Sequence, residues 1–128
     1  MTSSSCVPSA RPSQQVALAI KKEPLTLKVY SEGTLKKKMN IAPGSELYGF
    51  LSSWVARNPS HWRRSYDTFA PGYLVAGVTF VLNVRQDFLV LNYSTDGLRW
   101  SQVTEPTPND FWQQFSDRVK QLDGPVSN

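Results

Sequence analysis

A single cysteine and a single histidine leave this chain without most of the side chains that metal and nucleophile chemistry depend on. Cys6 stands alone in a polar N-terminal segment, which excludes an intrachain disulfide and a thiolate metal cluster. His61 has no second imidazole with which to share a zinc ion, and any Ser-His-Asp or Cys-His device would hang on it alone. Nothing around it has the pattern of a nucleophile and its base, so it reads as a loop residue. Glycines fall singly, at Gly33, Gly44, Gly49, Gly72, Gly77, Gly97 and Gly124, and build no phosphate-cradling loop. The carboxylates Asp110 and Asp117 would lie about 10 Å apart along a helix, too far for acid-base pairing. No catalytic residue, cofactor or metal ligand is therefore expected, and the chain does not read as an enzyme.

Long apolar runs are also missing. The uncharged run from Pro71 to Val84 is shorter than the roughly 20 residues of a membrane-spanning helix, so no transmembrane segment is expected. The start, MTSSSCVPSARPSQQVALAI, has no positive residues ahead of a sustained apolar core, unlike a secretory leader. Residues 1–22 are Ser-rich and lack acidic groups, a composition shared with organellar targeting segments, but a mobile arm over residues 1–15 is the preferred reading. An intracellular, soluble protein with one domain over 16–124 and a tail over 125–128 is the expectation.

What the chain does have is polarised charge. Through Asn40 it carries seven basic residues against Glu23 and Glu32, for +5, whereas Pro71 to Asn128 carries four basic against six acidic, for −2. The whole chain is at +4. Such asymmetry points the basic half toward nucleic acid or an acidic protein surface.

Element signals are clearer than chemical ones. Leu25, Leu27 and Val29 alternate with polar residues, Gly33 marks a turn, and Met39 and Ile41 alternate in the return strand, with Leu35 assigned to the same face, giving a hairpin over 25–31 and 34–41. Val16 to Ile20 is too short to read as strand or helix. Ser45 is placed to cap a helix whose buried stripe is Leu47, Phe50, Leu51, Trp54 and Val55, ending near Asn58. Asn58-Pro59 opens a short helical turn through Arg64. The run YLVAGVTFVL, Tyr73 to Leu82, is apolar at both odd and even positions, which predicts one central strand covered on both faces. Asp87 to Tyr93 and Leu98 to Thr104, with Trp100 on the covered face, complete a three-strand meander. Thr107-Pro108 starts a last helix with the stripe Phe111, Phe115, Val119 and Leu122, stopped at Gly124-Pro125.

The expected fold is α+β: a single-layer antiparallel sheet, made of an N-terminal hairpin and a three-strand meander, packed with two main helices in the order β-β-α-β-β-β-α. This order is similar to that of longin and roadblock-type (profilin-like) domains, and the opening hairpin and helix resemble the start of a ubiquitin-like β-grasp. The likeness implies a protein-docking scaffold and assigns no residue a role.

Two surfaces stand out. Alternation puts Lys28, Lys36 and Lys38 together on the solvent side of the hairpin, near Lys21 and Lys22, where clustered ammonium groups favour phosphate. Lysines also guard a sheet edge against pairing. The connection holding Trp62, Arg63, Arg64 and Tyr66 offers guanidinium groups beside aromatic rings, suited to stacking and anion contact, though Trp62 is also of a type usually buried. The leading expectation is a non-catalytic binding module with Lys28, Lys36, Lys38, Arg63 and Arg64 on an anionic partner, most often nucleic acid, and Trp62 and Tyr66 stacking or docking. The alternative is a structural adaptor or assembly subunit, including a homo-oligomer.

Overall fold

Apolar side chains at helical spacing form three helices in the computed structural model, which describes residues 11–57, 62–94 and 96–122. They are α1 (Arg11–Lys22), α2 (Glu46–Arg57) and α3 (Asn109–Leu122). The strands are β1 (Leu25–Ser31), β2 (Thr34–Ile41), β3 (Arg63–Arg64), β4 (Tyr73–Ala76), β5 (Phe80–Val84), β6 (Phe88–Tyr93) and β7 (Ser101–Pro106). They make one antiparallel sheet in the order β2-β1-β4-β5-β6-β7-β3.

Register explains which face is buried. Leu27, Val75, Leu82, Leu91 and Val103 form one row across the sheet. All five are buried in one core with Val16 and Ile20 of α1, Leu47, Leu51 and Val55 of α2, and Phe111, Phe115 and Val119 of α3. Each such side chain contributes about 1.5–3 kcal/mol of burial. Between α2 and α3 the contact is aromatic: Phe111 stacks on Phe50 at 5.4 Å and meets Trp54 at 4.3 Å.

The α+β class, the N-terminal hairpin and the helices after Ser45 and Thr107 match the sequence. Ser45 caps as expected, its Oγ accepting from the Tyr48 N–H at 3.2 Å. Glu32 and Gly33 both have positive φ, 54° and 79°, as a two-residue hairpin turn requires.

Other expectations are corrected. Among the described residues the sheet has seven strands and the helices number three, because Val16, Ala19 and Ile20 lie one helical turn apart and bury together in α1. Residues 11–15, read as part of a mobile arm, are the first turns of that helix; residues 1–10, with Cys6, lie outside the described residues. Of the helical turn expected from Asn58 through Arg64, residues 58–61, including His61, lie outside the described residues, as does the Gly124-Pro125 stop, and the last two, Arg63 and Arg64, are the edge strand β3.

The run from Tyr73 is not one strand but the hairpin of β4 and β5. Its turn is closed by the Gly77 N–H donating to the Phe80 carbonyl at 2.9 Å. The turn inverts the parity, so odd residues (Tyr73, Val75) face the helices in β4 and even ones (Phe80, Leu82, Val84) do so in β5. Apolar residues at both parities thus report two strands sharing one core face. Leu35 also changes face: a bulge between Val29 and Tyr30 leaves Lys36 without a partner in the register and pairs Leu35 with Tyr30, away from the core. The last strand starts at Ser101 rather than Leu98, since the Asp96 carboxylate accepts from the Leu98 and Arg99 N–H groups and holds them in a turn. Thr107 does not cap α3; its hydroxyl donates to the Arg85 carbonyl at 2.6 Å and ties the helix start to the end of β5.

The face away from the helices carries a strap, residues 65–72. Gln102 of β7 donates its amide to the carbonyl of Asp67 at 2.7 Å, and Asn83 of β5 is buried between the Gly72 N–H at 2.9 Å and the Ala70 carbonyl at 3.2 Å. Arg85 donates to Ala70 as well, at 2.8 Å. Removing the Asn83 amide leaves the Gly72 N–H unmet, while the Ala70 carbonyl keeps Arg85, so Asn83→Ala should cost about 1–3 kcal/mol. Hydrogen exchange of the Gly72 amide, faster in the variant, checks this.

Candidate functional site

Strand order separates the basic residues that the sequence groups together. Lys28 and Lys38 are a cross-strand pair on β1 and β2, while Arg63 and Arg64 lie on β3 at the opposite edge. Five strand spacings lie between β1 and β3, about 24 Å. The five sites are therefore two groups, with Lys36 on the bulge beside the first. Trp62 belongs to neither: at 7% exposure it is part of the core, and its expected stacking role is replaced by a packing one.

The β3 edge gathers the more specific chemistry. Arg64 and Tyr66 line a depression of about 260 Å³ with Ser65, Asp67, Asn92, Trp100 and Gln102. Tyr66 is 85% exposed and Trp100 is 49% exposed, so two large rings are held out of the core. The expected covered position of Trp100 fails because it lies outside the β7 ladder, on the alternation that carries Gln102 and Thr104 rather than Val103. Tyr66 beside the Arg64 guanidinium raises its already high pKa, and the guanidinium is fully charged at any working pH.

Local structure presents these groups. The Ser94 hydroxyl accepts from the Gly97 N–H at 2.7 Å, Gly97 takes a φ of 80°, and Asp96 holds the next two amides, so the loop projects Leu98, Arg99 and Trp100. The same amide contacts hold the Asp96 carboxyl below its ordinary range. On the other side Gln102 fastens the strap that carries Tyr66. With its donors turned to the strap, Gln102 keeps an acceptor oxygen, and Asn92 lines the depression beside it.

A second hollow of about 900 Å³ lies between the strap, the β5–β6 turn and the start of α3, lined by Tyr30, Tyr73, Arg85, Asp87, Asn109 and Trp112 among others. Its cation is engaged: Arg85 meets Asp87 through Nε at 2.9 Å and Nη2 at 3.0 Å and lies over the Phe69 ring. Hydrogen bonding from Arg85 holds the Asp87 carboxyl below its usual value. This arrangement locks the strap to the sheet.

The arginine and aromatic grouping was legible in the sequence; Trp100 and Asn92 were missed, since only the pairing of β6 with β7 brings them beside Arg64. Among the described residues no helix is long and apolar enough to cross a membrane, and no group of three His, Cys, Asp or Glu is placed to hold a metal. Comparison of the chain with protein families, curated proteins and solved structures finds no match.

Proposed function

We propose that this chain is a non-catalytic binding module that holds single-stranded nucleic acid on the β3 edge of its sheet. The observation that carries the reading is the pair of exposed rings, Tyr66 and Trp100, around a depression floored by amides and flanked by the Arg64 guanidinium. Every base offers a face for stacking, and a cation beside the ring meets the phosphate that follows. Arg63 and Arg99, both exposed, join Arg64 to outweigh Asp67 of the depression and Asp96 of the loop, three positive charges against two negative. Duplex hides its base faces, so single strands are preferred.

The test is fluorescence anisotropy with a labelled single-stranded octanucleotide at low salt. Stacking worth about 1–3 kcal/mol per base predicts that Trp100→Ala and Tyr66→Ala each weaken binding by at least about fivefold, with Trp100 emission quenched in the wild-type complex. Arg64→Ala should weaken binding to all sequences alike and flatten the salt dependence. Unchanged affinity in both aromatic variants overturns the reading.

An adaptor is the second reading, favoured by the outermost position of β2 and the exposed Leu35 on it. It ranks lower because Lys36, Lys37 and Lys38 oppose pairing with another strand along that edge.

A further inference from the structure

The two basic groups are far apart, yet one face of the sheet joins them: Arg63, opposite Thr104, stands with Lys28 and Lys38 on the side away from the helices, while Arg64, opposite the buried Val103, lines the depression from the edge strand. On the side of the sheet away from the helices, the register sets Thr26, Ala76, Val81, Asn92 and Gln102 in one row from β1 to β7. The row continues to Asn40 on β2, beside the Lys28 and Lys38 pair. At its other end Asn92 and Gln102 line the depression of Arg64, Tyr66 and Trp100. Asn40 is exposed and Thr26, Ala76, Val81, Asn92 and Gln102 are half-buried, so the row is partly open, with the strap bonded to Gln102 at the β7 end. The strap makes one side of it, crossing the sheet over Asn83 and the buried Val90. Small side chains at Thr26, Ala76 and Val81 keep the middle shallow and uncharged.

Resting on the reading of the β3 edge given above, we infer that this row is a track for a single strand, which leaves the Tyr66 and Trp100 depression, crosses the sheet over Val81 and Ala76, and ends with its phosphates on Lys28 and Lys38. Charge complementarity selects the occupant: a polyanion is drawn to both ends, and the uncharged middle accepts sugar and base edges. From β7 to β2 the path is five strand spacings, about 24 Å. That length takes up to about seven nucleotides at the stacked spacing of about 3.4 Å, and fewer when the bases are splayed.

The test compares a trinucleotide with an octanucleotide of oligothymidylate, on the wild-type chain and on Lys28→Gln/Lys38→Gln. In the wild type the octamer should bind at least about tenfold tighter than the trimer, and further lengthening should add little. The double lysine variant should lose that advantage, keep its affinity for the trimer, and show a salt slope lower by about 1.4, as expected for two released phosphate contacts on a single strand. Val81→Glu, which puts a carboxylate in mid-track, should reproduce the loss for the octamer alone. Matching thermal melts establish that each variant is folded. Trimer binding that depends on Trp100, with an octamer no tighter and no effect of the lysines, overturns the track and leaves the β3 edge reading intact. No binding of either oligonucleotide overturns both. Full competition by an octaglutamate peptide shows a face that reads charge alone and also overturns the track.

Discussion

Gly77→Ala should lower the stability of this protein by about 3 kcal/mol, the upper end of overpacking penalties. A Cβ at position 77 would stand 2.5 Å from the ring of Phe80 and 2.7 Å from the carboxylate of Glu23. Neither neighbour is free to move. Phe80 is buried in the core, and Glu23 is held by three hydrogen bonds. The melting temperature should fall by about 10 °C. Gly49 supplies the contrast, since it lies inside α2 with nothing near its missing Cβ. Gly49→Ala should stabilise by about 0.5–1 kcal/mol through helix propensity alone. Thermal or urea unfolding of the two variants measures both, and equal effects would remove the close-approach explanation.

Glu23→Ala should cost about 2–3 kcal/mol at neutral pH. The carboxylate follows the end of α1 and accepts from the Val78 N–H at 2.6 Å, the Thr79 N–H at 2.9 Å and the Thr79 hydroxyl. Hydrogen bonds to an ionised group are worth about 1.5–3 kcal/mol, and their loss leaves turn amides unmet. Burial works to raise the Glu23 pKa, but the Thr79 hydroxyl and the two amides outweigh it, so the group titrates below its ordinary value of 4.5. The sign follows from linkage: a depressed folded-state pKa means the stabilisation is fully present above the unfolded value and is lost as pH falls through the folded one. Wild type and Glu23→Ala should therefore differ most above about pH 5 and converge as the pH drops. Urea midpoints at neutral and acid pH read this directly, and a constant difference across the range would show that Glu23 acts through packing rather than charge.

The sequence carried the outline because its signals are local. Ser45 with the stripe from Leu47 to Val55, the alternation in Leu25 to Ile41, and Phe111 with Phe115 and Val119 each follow from residues within a few positions of one another. The failures involve partners distant in the chain. Nothing near Gly77 announces that Glu23 caps its turn, so a hairpin whose parity inverts read as one long strand. Arg63 and Arg64 form a strand only because β7 is there to pair with them. The candidate site divides the same way. Arg63, Arg64 and Tyr66 were visible as a charged aromatic stretch, while Asn92 and Trp100 join them through the sheet, and Trp62 leaves them because the core has room for its ring.

The pairing of β1 with β4 has a kinetic consequence. The hairpin β1–β2 and the meander β4 to β7 each close between neighbours in sequence, but Val29 meets Tyr73 only after the segment holding α2, β3 and the strap has been gathered in. Long-range pairing of this kind bears the loop-closure entropy before any contact repays it, and so tends to form late. The Glu23 contact with Val78 and Thr79 spans the same seam. The two halves of the sheet would then organise separately, with the carboxylate at the end of α1 closing the junction between them last.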